Sequence, residues 1–158
     1  MTLITRRFAV VILVGAFVLL WRAQTDRDVV VAQTGTSVTV TRIYTGPDGL
    51  SHAEEIELKT TRGVSELMDA TGVQFSSRAP GPASDWHTGP RRQFVITLSG
   101  NGYVEVSGGR RIATGPGHIN LIEDTTGKGH ITRNLGPENR IVVTIPLADE
   151  APLLRAEP

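Results

Sequence analysis

Few side chains in this chain can do chemistry, and their types narrow what that chemistry can be. There are four histidines, His52, His87, His118 and His130, and no cysteine. Disulfides, thiolate zinc sites and cysteine nucleophiles are therefore excluded. Any transition-metal site must combine imidazole with carboxylate or amide oxygen. Two histidines stand in ordered surroundings. One run reads Gly81-x5-His87-x-Gly89-x3-Gln93-x6-Gly100, the other Gly117-x5-Glu123 followed by Gly127-Lys128-Gly129-His130-x3-Asn134. Arg91 and Arg92 beside His87 are able to present guanidinium to a carboxylate or phosphate. Trp86 is a candidate pocket wall. Glu123 and Asp124 are adjacent, so in extended chain they point apart and one functional acid is the most they supply. The Gly127-Lys128-Gly129 run lacks the remainder of a phosphate loop, and no Gly-x-Ser-x-Gly elbow exists. His52 and His118 read as exposed.

Short strands must position these groups. Ser37 to Tyr44 and Gln93 to Ser99 alternate and are rich in β-branched residues. Glu54 to Leu58, Thr71 to Ser77, Tyr103 to Val106, Arg110 to Ala113, Ile119 to Ile122, His130 to Leu135 and Arg140 to Pro146 read likewise. Turns such as Thr45-Gly-Pro-Asp-Gly49 and Gly115-Pro-Gly117 separate them. Gly100-Asn101-Gly102 predicts a hairpin between the strands that flank it. Val64 to Ala70 is the one segment that reads as a helical turn. About nine short strands with no crossover helix make an all-β sandwich or barrel and exclude a parallel α/β fold.

The chain's 158 residues carry sixteen Lys+Arg against sixteen Asp+Glu. Neutrality argues against nucleic acid as the partner. Fourteen uncharged, apolar residues run from Phe8 to Trp21, preceded by Arg6 and Arg7. That run is short for a bilayer span and fits a signal-peptide core, with Val30-Val31-Ala32 as small residues before a cut at Gln33. Residues 1–33 are thus expected to be a signal peptide or, uncleaved, a membrane anchor through residues 8–21, and residues 34–158 a single domain. The expected location is exported, periplasmic or secreted. Without the four arginines and two aspartates of residues 1–33, the remainder keeps twelve basic and fourteen acidic residues.

The two runs around His87 and His130 resemble the paired signature motifs of the cupin superfamily, small jelly-roll β-barrels. The likeness covers roughly Val38 to Leu147. It implies an all-β, single-domain cupin-type barrel behind an N-terminal hydrophobic leader. In many cupins three His and one Glu bind a divalent metal inside the barrel. Here His87 matches the first His, His130 the last and Asn134 the closing Asn. Gly89 stands where the second His belongs, and Gln93 where Glu belongs. Glu123 replaces a Pro, with two extra residues before Gly127. A glycine offers no ligand, and a neutral amide is a weak one for a dication.

The resemblance thus implies a reduced metal set of His87, Gln93 and His130, and as cofactor none or a weakly bound divalent transition metal, with Glu123 as an added donor if its loop folds inward. It also turns the Gln93, Val95 and Thr97 face of its strand inward. The implied ligand-binding residues are Trp86, His87, Arg92, Gln93, Val95, Glu123 and His130. The expected function is small-molecule binding in the barrel. The alternatives are a metal-dependent oxygenase or isomerase, and a structural or partner-binding barrel, for which the family implies a homodimer through sheet edges.

Overall fold

The structure is a computed structural model and describes residues 37–149; the leader, the cut at Gln33 and the residues beyond Asp149 lie outside it. Eleven strands follow in chain order: β1 Val38–Thr45, β2 Ser51–Leu58, β3 Thr60–Thr61, β4 Val64–Ser65, β5 Gln74–Arg78, β6 Gln93–Ser99, β7 Asn101–Glu105, β8 Arg111–Thr114, β9 Ile119–Glu123, β10 Ile131–Leu135 and β11 Arg140–Pro146. A six-stranded sheet runs β2-β1-β9-β6-β11-β5, and a three-stranded sheet runs β10-β7-β8. All neighbours are antiparallel except β1 and β9, which pair in parallel from Thr41↔Asn120 to Tyr44↔Glu123.

Alternation along the large sheet gives it two apolar faces. Ile43 and Ile122 face the small sheet and pack with its Val104 and with Val106 just beyond β7. Their sequence neighbours face the other way, so Val40, Phe94 and Leu121 form a second cluster with Ile56 and Leu147. The segment before β5 covers that outer cluster, bonding Thr71 N–H to the Pro146 carbonyl and accepting from Ala148 N–H at Asp69 O.

Two sequence expectations fail. The Gly100-Asn101-Gly102 turn does not make a hairpin: β6 pairs with β9 and β11, whereas β7 pairs with β8 and β10. The chain passes from one sheet to the other at Gly100. That residue takes φ 72°, and a Cβ there would come 2.7 Å from the Arg140 Cα. A turn motif specifies a reversal of direction, not which strand becomes the partner. Nor does Val64 to Ala70 form a helical turn. Arg62 and Gly63 take φ 56° and 78°, the pair of positive values that a tight two-residue hairpin needs, and Val64 becomes the return strand β4 against β3. The described residues contain one helical element, the 3-10 turn Ser107–Gly109.

Candidate functional site

A cavity of about 590 Å3 lies between the sheets. β6 contributes Gln93 and Val95, β9 Asn120 and Ile122, β7 Val104, and β11 Arg140, Val142 and Thr144. The loops before β6 and β10 deliver His87, Gly89 and His130.

His87 and His130 are forty-three positions apart and meet here. Their backbones exchange hydrogen bonds in both directions, His87 N–H to His130 O at 3.0 Å and His130 N–H to His87 O at 2.8 Å. Their ring centroids are 4.6 Å apart with planes inclined at 55°. Gly129 permits this approach. It takes φ 72°, and a Cβ would collide with the His87 carbonyl.

Each ring has one nitrogen already engaged. The His87 Nδ1 sits 2.9 Å from the Asp85 carbonyl, which can only accept, so that nitrogen carries the proton and Nε2 keeps its lone pair in the neutral ring. The Ser84 hydroxyl is a further 3.3 Å neighbour. The His130 Nδ1 lies 2.7 Å from the Asp124 Oδ2, with both side chains withdrawn from water. A carboxylate at Nδ1 fixes the tautomer, orients the ring and leaves Nε2 for ligand chemistry. His87 is exposed at the rim and His130 is buried.

Of the expected ligand set, His87, Gln93, Val95 and His130 line the cavity, and Trp86, Arg92 and Glu123 do not. Strand alternation explains Glu123, because Asn120 and Ile122 take the inward positions of β9 and leave it on the outer face with Leu121. There Arg42 Nε binds its Oε2 at 2.6 Å and Arg92 its Oε1 at 2.8–2.9 Å. The carboxylate proposed as an extra metal donor is thus neutralised by two arginines, one of them the guanidinium proposed for the ligand. Trp86 is partly exposed, with the Lys128 ammonium 3.8 Å from its ring centroid. His118 is also not exposed. It is half-buried, and its Nε2 meets the Asn120 Oδ1 at 3.1 Å.

Three groups, Asp124, Asn120 and Arg140, emerge from the fold, and Thr97, already turned inward by the sequence reading, is buried beside them. Asp124 is the inward acid of the Glu123-Asp124 pair, fully buried, with Oδ1 lacking a partner among the described residues. Asn120 is buried, and Arg140 is buried in the cavity wall. For Asp124 a signal existed in the opposed directions of adjacent residues. For Arg140, the first residue of a strand, there was none.

The same geometry tests the metal site that the motifs imply. The position of the absent histidine is closed, because a Cβ on Gly89 would sit 2.5 Å from the Ile122 Cγ2. Among the described residues no three His, Asp or Glu side chains gather around one point. Two imidazoles and the neutral Gln93 amide remain, three donors without the carboxylate or third imidazole of the usual zinc and iron triads. The residues present fit a tightly held resident metal poorly.

Two sheets enclosing a cavity, with the two motif histidines brought together on its wall, decide the architecture. The fold is a cupin-type jelly roll. No family model matches the chain, and neither does any curated protein. Among solved structures, this cupin-type barrel is similar to an uncharacterised conserved protein with a double-stranded β-helix domain from Klebsiella pneumoniae. They share 24% identity over 64% of this chain and 91% of that one, with a TM-score of 0.41. A protein from Neisseria meningitidis shows 19% identity over 52% and 81% of the two chains, with a TM-score of 0.38. A protein proposed to be a mannose-6-phosphate isomerase, from Ralstonia eutropha, shows 16% identity over 78% and 94%, with a TM-score of 0.32. Identities at this level carry no activity across to the barrel described here.

Proposed function

We propose that this chain is an exported barrel that binds a small molecule in its interior, and that His87, Gln93 and His130 form a reduced metal set that holds no metal tightly. The cavity carries the reading. Its volume falls within the ~300–1,000 Å3 usual for small-molecule sites, and its lining joins an apolar patch to many polar groups. Val95, Val104, Ile122 and Val142 form the patch; His87, Gln93, Asn120, His130, Asn134 and Arg140 are among the polar groups. Support for export comes from the Phe8 to Trp21 run behind Arg6 and Arg7.

Ligand screening by 1H–15N NMR on the labelled chain tests the binding reading. A mixed library of small uncharged and charged compounds should produce shifts centred on Gln93, Val95, Asn120 and His130. A library that moves no cavity residue overturns it. Metal analysis after dialysis tests the second clause. Clearly less than one equivalent of transition metal is expected. Stoichiometric iron, zinc or manganese, lost on His87→Ala or His130→Ala, would reverse it.

One observation favours a second reading, an enzyme. The Asp124–His130 pair at 2.7 Å is the arrangement that readies an imidazole to take a proton at Nε2. On that reading the cavity ligand is a substrate and His130 its general base. A ligand found by the screen and left chemically unchanged by the protein would decide for binding alone.

A further inference from the structure

The cavity wall holds a positive charge for which the described residues supply no counter-charge. Arg140 is 6% exposed and lines the cavity. Its Nη2 donates to the Thr97 hydroxyl at 2.7 Å, and its buried Nε meets no acceptor among the described residues. Three other arginines among the described residues meet carboxylates. Arg42 and Arg92 share Glu123, and Arg111 binds Glu105 at 2.6 Å. Arg140 has a neutral hydroxyl in place of a carboxylate. Burial alone pulls its guanidinium below the ordinary arginine value.

The neighbouring strand adds to the imbalance. Arg78 stands directly opposite Arg140 in the antiparallel β5–β11 ladder. Opposed residues share a face, and both line the same cavity. Like charges directly across a ladder are unfavourable, and here one of the two is withdrawn from water. An anion between them removes both penalties. Along the same strand Val142 faces the cavity, and Val95, Val104 and Ile122 complete an apolar lining.

We infer that the cavity takes an organic carboxylate, its carboxyl group seated at Arg140 and Arg78 and its apolar body against Val95, Val104, Ile122 and Val142. This rests on the small-molecule reading of the cavity and adds the ligand's class. An inorganic anion would meet the arginines but leave the apolar walls unfilled. An uncharged ligand would fill the walls and leave Arg140 without its counter-ion.

Calorimetric titration of the full-length chain with benzoate, and with benzamide as its uncharged counterpart, tests the inference. Benzoate should bind at least about tenfold more tightly, as a charge-assisted bond to a buried guanidinium warrants. Arg140→Met should weaken benzoate at least about tenfold yet keep or raise the thermal midpoint, because it deletes an unpaired buried charge. Arg78→Gln, on an exposed residue that leaves the core intact, should weaken benzoate several-fold. Equal binding of benzoate and benzamide overturns the carboxylate assignment while leaving a small-molecule site. Absence of benzoate binding overturns it as well, and the NMR library then decides separately whether the cavity binds anything. A lowered midpoint for Arg140→Met, or unchanged benzoate affinity in either variant, makes the arginines structural and ends the inference.

Discussion

His130 and Asp124 meet through a 2.7 Å bond between Nδ1 and Oδ2, with the histidine side chain 7% exposed and the aspartate side chain not at all. Only six positions separate them, yet the contact requires β9 to end with Asp124 turned inward and the Gly127–Gly129 turn to bring the chain back. Gly89 N–H adds a bond to the Asp124 carbonyl at 3.1 Å, tying the same corner to the loop that carries His87.

Removing one partner of this buried pair strands the other. Asp124→Ala is expected to destabilise the domain by about 1–3 kcal/mol, the usual cost of leaving a buried hydrogen-bonding group without its partner. Urea denaturation followed by circular dichroism measures it. A loss below about 1 kcal/mol would mean that the pair contributes no more than a surface contact.

Reinstating the absent motif histidine should fail structurally. The Ile122 methyl lies 2.5 Å from where the Cβ of residue 89 would be, so Gly89→His forces the buried Ile122 side chain out of its place. Overpacking of this kind costs about 1–3 kcal/mol. The single variant should melt earlier than wild type and gain no tightly bound zinc by metal analysis. Pairing it with Ile122→Ala should recover part of the midpoint. A Gly89→His protein as stable as wild type would refute the closed-slot account.

Burial lowers the His118 imidazole below its ordinary 6.5, the Asn120 hydrogen bond offsetting part of the shift and the nearby Arg140 charge adding to it. In the folded chain this ring therefore stays neutral at a pH where the unfolded chain binds a proton. Stability must fall as pH drops below about 6.5, levelling off only when the folded ring also protonates. His118→Gln should flatten that dependence, so its urea midpoint should change less than the wild-type midpoint between about pH 7.5 and pH 5. Parallel curves for the two proteins would show that His118 is not a source of the acid sensitivity.

Export is open to direct measurement. A reporter that functions only outside the cytoplasm, fused after Gln33, should be active, and Phe8→Asp with Val11→Asp in the apolar run should abolish that activity. Equal activity of a cytoplasmic reporter at the same junction would contradict the leader assignment.

The strands were legible because alternation is a local property. Gln93 to Ser99 and Arg140 to Pro146 form strands over the same residues that the pattern marks, since β-branched residues at period two satisfy an extended chain whatever its partner. The same alternation, with the family resemblance, turned Gln93 and Val95 inward, and both line the cavity. Glycine spacing around His87 and His130 pointed to a shared site, and the rings lie 4.6 Å apart.

What the sequence could not decide was partnership. Whether β7 pairs with β6 or with β10, whether Glu123 meets a ligand or Arg42, and whether Arg140 finds a carboxylate are all contacts between distant parts of the chain. Hydrogen bonds and charges are satisfied by whatever lies opposite, and only the closed barrel determines that. The chain itself dictated which residues would be extended and which faces apolar. The tertiary structure placed Asp124 against His130, shut the slot beside Gly89, and left Arg140 in the wall without an anion among the described residues.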